Sequence, residues 1–385
     1  MGKITEIGLL FIFIFGISAV SKKLKIPHLL SLLLGGLIGK FIFPADIANE
    51  VKILETMALT LLFFFLGLDF SFERLFNMMR RIFVAGVIDF LFNFFGILLV
   101  SYLITKDLIF SLVVSAALYP SSTAITIKLI SDYKRVPFAE TDVILGILII
   151  EDIVSIALIS FLFPISTGEK IDLIKILNGF LVFLIFFLLF FLLRKPAERI
   201  FTKLPEIISE EVLAFLVLGL VLAPSDILAR FGISDILIAF LLGCLVPEKS
   251  EIYNSIQKHL YGLKEFSAGL FFFFFTFDMD LKLSTKDILL IISLTFVALI
   301  TKFISTYLSS VYTIRSKTPS YRSAFSMLQR GEFSLVISSI SAKSKTVVPI
   351  AVIISSIFGV ISFVYAPALS KYLSKIMTRK DKTKG

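Results

Sequence analysis

Charged residues are scarce in this sequence, cysteine occurs once and histidine twice, and each scarcity closes off a class of function. A single cysteine, Cys244, excludes an intrachain disulfide and any cysteine metal site, and His28 and His259 leave little for histidine metal chemistry. No cofactor is expected. With 17% charged and 57% hydrophobic residues over 385 positions, the chain cannot be a soluble domain and reads as a polytopic membrane protein. The net charge of +9 does not point to nucleic acid, because the basic residues fall in short loops between apolar runs. Ile7 to Val20 is followed by Ser21, Lys22 and Lys23 rather than a small-residue cleavage site, so the first helix is expected to be retained.

What is present is a series of apolar runs long enough to span a bilayer. Thirteen are expected, near 4–20, 26–43, 53–69, 82–104, 108–131, 140–163, 172–193, 209–229, 232–247, 263–279, 287–313, 320–342 and 346–370. The fold class is all-α. Lys22, Lys23 and Lys25, Arg80 and Arg81, Arg194, Lys195 and Arg199, and the basic residues from Lys371 to Lys384 lie in odd-numbered loops or the C-terminal tail. That bias places the C-terminus in the cytoplasm and the N-terminus outside. Residues 371–385 are expected to be a solvated basic tail, with no regulatory nucleotide-binding domain.

Inside this apolar frame sit charges that must be neutralised. Glu151 and Asp152 are adjacent in the run from Val143 to Phe163, where each carboxylate costs roughly 2.5 to 3.5 kcal/mol to insert. Helical neighbours lie about 100° apart, so the two cannot face one partner and have separate roles. Lys302, deep in the run from Ile288 to Val311, needs a carboxylate, and Glu151 or Asp152 is its natural partner. A static ion pair is the bland alternative. Against it, four intramembrane acids, Asp89, Glu151, Asp152 and Glu332, outnumber two bases, Lys302 and Arg330. Surplus carboxylate oxygens can take a proton or a hard monovalent cation in competition. Asp89, one turn before Asn93, fits a helix-helix hydrogen bond or an accessory place in the ion path.

Two spans also carry breaks. Pro120 removes a helix bond mid-span, and Ser121, Ser122 and Thr123 can satisfy freed backbone or coordinate a cation. Gln329, Arg330, Gly331 and Glu332 interrupt the span near 320–342. The breaks occupy corresponding places, one span before the Glu151–Asp152 pair and one after Lys302, a spacing that predicts inverted repeats with two crossed, discontinuous helices. Such a crossing would gather Ser121 to Thr123, Glu151, Asp152, Lys302 and Arg330 near the midplane.

At these residues the chain resembles the monovalent cation:proton antiporter-2 family, which includes sodium/proton antiporters and Kef-type potassium/proton systems. The ordered landmarks are Lys25-Ile26-Pro27, Gly35 to Gly39, Gly67-Leu68-Asp69, Ser121 to Ala124, Glu151-Asp152, Gly232-Ile233-Ser234 with Ala239 to Gly243, Phe271 to Phe275 before Asp278, Lys302, and Arg330-Gly331-Glu332-Phe333. The resemblance implies an NhaA-like fold in a homodimer at the cell membrane. Residues 1–69 and 209–279 would form the dimerisation domain, 82–163 and 287–370 the transport core, and 172–193 a linker helix. It implies exchange of a monovalent cation, Na⁺ or Li⁺ first, for protons by alternating access, rather than catalysis of a chemical reaction. Asp152 would bind cation and proton, assisted by Glu151, Ser121, Ser122 and Thr123, with Lys302, Arg330 and Glu332 compensating charge. Potassium/proton antiport and a sodium-coupled solute symporter are the alternatives of the same fold, and an intramembrane aspartyl protease is disfavoured because Gly67-Leu68-Asp69 lacks the first glycine of that motif. Glu151 departs from the family, which places Asp there in electrogenic exchangers, Gln in Kef-type systems and Asn in related electroneutral ones. If Glu151 releases Lys302 and takes a proton in each cycle, exchange is electrogenic; if the bridge persists, only Asp152 exchanges.

Overall fold

Apolar runs of this length become helices because a bilayer offers the peptide group no hydrogen-bond partner, and a helix satisfies its own. The computed structural model describes residues 3–24, 26–44, 46–69, 72–162, 173–203, 211–230, 235–248, 250–279 and 283–382. In chain order the helices are α1 (Lys3–Lys23), α2 (His28–Ile42), α3 (Asp46–Asp69), α4 (Phe72–Thr105), α5 (Leu108–Leu118), α6 (Thr123–Asp132), α7 (Ala139–Leu162) and α8 (Leu173–Lys203). They continue with α9 (Leu213–Ala229), α10 (Asp235–Leu245), α11 (Glu251–His259), α12 (Tyr261–Phe277), α13 (Thr285–Ile314), α14 (Lys317–Ser326), α15 (Glu332–Ser338) and α16 (Ala342–Lys382). Among the described residues there is no strand beyond one isolated bridge, and six helices are long and apolar enough to cross a membrane, or seven if α11 and α12, bent by 56°, count as one span. The spans expected near 108–131 and 320–342 are each two helices, α11 arises in a stretch read as a loop, and α16 runs on to Lys382 through the expected tail.

The chain divides into two compact units, residues 1–72 with 159–278 and residues 73–158 with 279–385. In the first unit, α2 and α3 pack on α12, and α10 packs on α3. Phe271 to Phe275 are all buried. Phe273 and Phe274 join Leu10, Val51, Ala58 and Leu270 in the core. The α3–α10 contact depends on two glycines: a Cβ at Gly67 would lie 1.9 Å from the Phe240 carbonyl oxygen, and one at Gly243 would lie 2.0 Å from that of Phe64. Small residues at such contacts let helix backbones approach where there is no hydrophobic drive between helices. Asp69 accepts hydrogen bonds from Lys264 Nζ and, at 2.5 Å, from Gln257 Nε2. Asp226 and Arg230 form an exposed i,i+4 pair at 2.9 Å.

In the second unit α13 packs on α14 and α16, and α15 lies against α5 and α16. Glu140, fully buried at the start of α7, serves two arginines: Arg135 Nη2 at 3.1 Å, and Arg322 through Nε at 2.5 Å and Nη2 at 2.8 Å. Arg135 also donates to Ser326 Oγ at 3.0 Å and lies 4.3 Å over the Phe363 ring. One carboxylate thus ties the α6–α7 connection to α14 and α16. Removing one partner of a buried pair strands the others, so Glu140→Ala is expected to cost about 3 to 5 kcal/mol and lower the thermal midpoint of detergent-solubilised protein; an unchanged midpoint would contradict this role. Gly243→Val, which forces a side chain into backbone, is expected to abolish a monodisperse peak in size-exclusion chromatography, whereas Gly219→Val, where nothing lies within 4 Å of the added Cβ, leaves it intact.

Candidate functional site

Pro120 carries no amide hydrogen, so the chain leaves the helix after α5 and re-enters at α6, whose first turn is capped by Ser122 Oγ accepting from the Ile125 amide at 3.3 Å. Residues 327–331 interrupt the later span in the same way, and Gly331 is fully extended before α15 begins at Glu332. The two interruptions meet. The Ser122 amide donates to the Gln329 carbonyl at 3.0 Å, and Ser121 and Arg330 form an antiparallel bridge. Gly331 is required at the contact, since a Cβ there would lie 2.6 Å from Ser122 Cα.

Arg330 is fully buried, and its guanidinium turns to backbone rather than to a carboxylate. Nη1 donates to the Tyr119 carbonyl at the end of α5 at 2.7 Å, and Nη2 donates to the Ala298 carbonyl at 2.7 Å and to Asn93 Oδ1 at 3.3 Å. Asn93 Nδ2 also donates to the Tyr119 carbonyl, at 2.8 Å. Carbonyls at a helix C-terminus carry partial negative charge, so a cation is well placed there. Gln329 Nε2 bonds Thr126 Oγ1, and Ser356 Oγ donates to the Arg330 carbonyl at 2.8 Å.

Lys302 lies between two acids. Its Nζ is 2.6 Å from Glu151 Oε1 and 2.9 Å from Asp89 Oδ1, and all three side chains are fully buried. Glu151 in turn accepts from the first break, from the Ser121 amide at 3.2 Å and from Ser121 Oγ at 3.4 Å. Asp89 Oδ1 also accepts from Ser305 Oγ at 2.6 Å. Asp89 thus makes hydrogen bonds from α4 to α13, one of the two roles expected of it, and one of its partners there is the Lys302 ammonium.

Asp152 points elsewhere, as a helical neighbour of Glu151 must. Both of its carboxylate oxygens accept from Thr123 Oγ1 at 3.2 Å, and both residues are partly exposed where Glu151 is wholly buried. Glu332, at the start of α15, accepts from Ser122 Oγ at 3.3 Å. The three consecutive hydroxyls, expected to satisfy freed backbone or coordinate a cation, each bond a different carboxylate: Ser121 bonds Glu151, Ser122 bonds Glu332 and Thr123 bonds Asp152, while Ser121 and Ser122 also bond backbone at Met327 and Ile125. Lys302 pairs with Asp89 and Glu151, and Asp152 lies outside that ion pair, bonded to Thr123. No group of three or more His, Cys, Asp or Glu among the described residues is arranged to hold a resident metal ion.

Ser305, Thr301 and Ala298 were missed from sequence. Ser305 lies one turn beyond Lys302 on α13, a spacing that could have marked it; the Ala298 carbonyl leaves no sequence signal at all. Thr301 Oγ1 bonds Asn93 Oδ1 at 3.1 Å, completing the support of Arg330.

Residues 9–374 match the transmembrane sodium/hydrogen exchanger family. The chain is 27% identical to the ammonium/H⁺ antiporter subunit AmhT of Alkalihalophilus pseudofirmus, over 98% of its own length and 95% of that protein. It is 25% identical to the K⁺/H⁺ antiporter subunit KhtU of Bacillus subtilis, over 97% and 96% of the two chains. The sodium proton antiporter MjNhaP1 of Methanocaldococcus jannaschii, 18% identical, has a TM-score of 0.71 with coverage of 95% of this chain and 98% of that one, and so has the same fold. The family match takes in every residue of the buried cluster, and the chain is accordingly a multi-pass membrane protein belonging to the sodium/hydrogen exchanger family.

Proposed function

We propose that the protein exchanges a monovalent cation, sodium first, for protons by alternating access, and that Asp152 binds cation and proton in competition. The observation that carries this reading is the asymmetry of the adjacent acids. Glu151 is buried against Lys302, whereas Asp152 is partly exposed and bonded to a hydroxyl. A carboxylate and a hydroxyl, both oxygen donors and both partly exposed, suit a hard monovalent cation. Glu332, linked through Ser122, supplies further negative potential beside it.

In this reading the meeting of the two breaks is the crossing point of inverted repeats, and the unit with residues 73–158 and 279–385 is the transport core. Residues 1–72 with 159–278 form the dimerisation scaffold of a homodimer in the cell membrane, with the N-terminus outside and the C-terminus in the cytoplasm. Sodium is supported by the family to which the chain belongs, and potassium or ammonium by the relatives at 25% and 27% identity named as antiporters of those cations. Oxygen ligands alone do not separate them.

Proteoliposomes loaded with protons and given Na⁺, Li⁺, K⁺ or NH₄⁺ test the reading directly. Sodium is expected to drive proton efflux most strongly, and Asp152→Asn to abolish it; an Asp152→Asn protein that still exchanges would overturn the mechanism. Thr123→Ala removes one polar contact and is expected to raise the cation half-saturation concentration about 3- to 10-fold with little change in maximal rate. Competition for one carboxylate further requires that half-saturation rise by up to about tenfold per pH unit on the acid side while the maximal rate at saturating cation is retained, by mass action. A maximal rate that falls instead would indicate separate cation and proton sites.

A further inference from the structure

We propose that Asp89 is a second seat for the Lys302 ammonium, a positioning residue that keeps the lysine paired whenever Glu151 lets it go. This rests on the exchange reading above but names a residue whose hydrogen bonds go to Lys302 and Ser305. Lys302 Nζ reaches Glu151 Oε1 at 2.6 Å and Asp89 Oδ1 at 2.9 Å, with all three side chains at 0% exposure. An ammonium has three donors and here uses two on carboxylates from different helices, α4 and α7.

The two acids are held differently. Glu151 accepts from both the amide and the hydroxyl of Ser121, so its position is tied to the break between α5 and α6. Asp89 Oδ1 accepts from Ser305, one turn from Lys302 on α13 itself. Asp89 Oδ2 is buried with no hydrogen-bond partner, leaving an acceptor beside the ammonium. Were Glu151 the sole partner, any motion of the break that drew Glu151 away would strand a buried cation, a state of high energy. With Asp89 present the ammonium passes from one carboxylate to the other without losing its pairing. Glu151 then couples the lysine to the break, and Asp89 makes that coupling releasable.

A double-mutant cycle tests this without relying on transport. Thermal midpoints of detergent-solubilised Asp89→Asn, Glu151→Gln and the double variant are measured with Lys302 present and again with Lys302→Met. Either single variant leaves the ammonium one carboxylate and is expected to lower the midpoint modestly. The double variant is expected to fall by well over the sum of the two, or to fail to fold, and Lys302→Met to remove that excess. Additive losses, or an excess that persists or a fold that stays lost with Lys302→Met, would overturn the proposal. In proteoliposomes, Asp89→Asn locks the lysine on Glu151 and is expected to slow turnover by at least about fivefold while the cation half-saturation stays within about twofold, a split that general loosening of the fold does not produce. Turnover left intact, or half-saturation rising in step with the loss, would count against it. If instead Asp152→Asn retains exchange while the thermal cycle shows the excess, the exchange reading fails and the second seat of Lys302 stands.

Discussion

Backbone groups released between α5 and α6 and between α14 and α15 must find their partners inside the protein, because hydrocarbon supplies none. Much of the second unit follows from that requirement. The two breaks satisfy part of each other through the Ser122 amide and the Gln329 carbonyl, and Arg330 caps the carbonyl that α5 leaves open at Tyr119. A guanidinium in that position is buried charge, held in turn by Asn93, Thr301 and the Ala298 carbonyl. The polar interior is therefore the means by which broken helices exist in lipid at all.

The same interior sorts its acids by what surrounds them. Asp89 and Glu151 share the lysine, and Asp152 lies outside that ion pair. Glu332 begins α15, and Asp152, in the middle of α7, is bonded to Thr123 at the start of α6, so the hydroxyls they use belong to consecutive residues. Helix N-termini favour negative charge and so help keep these carboxylates near one another. Two neighbouring residues on α7 thereby acquire opposite characters, one locked into an ionic cluster and one partly exposed.

Much of this was legible in the sequence because burial makes polar residues conspicuous. The family resemblance, the helical class and the membrane setting follow from composition and ordered motifs, and a proline or an Arg-Gly-Glu step within an apolar run signals trouble for a helix wherever it occurs. What stayed hidden depends on which helix faces which. Asp89 could be placed within a span, but only the packing of α4 against α13 reveals that it meets Lys302. Arg330 is held by the carbonyls of Tyr119 and Ala298, which no residue type announces. Arg135 counts as a loop charge by position, yet it is 3% exposed and shares Glu140 with Arg322. The short α11 was lost because it lies between apolar runs rather than in one.

The joint between the breaks is built from main-chain atoms of Ser122 and Gln329, with Gly331 supplying the clearance. Its geometry does not depend on the side chains that face the carboxylate of Asp152. An architecture of that kind separates frame from lining: side chains beside Asp152 can change without altering the main-chain joint that carries the broken helices.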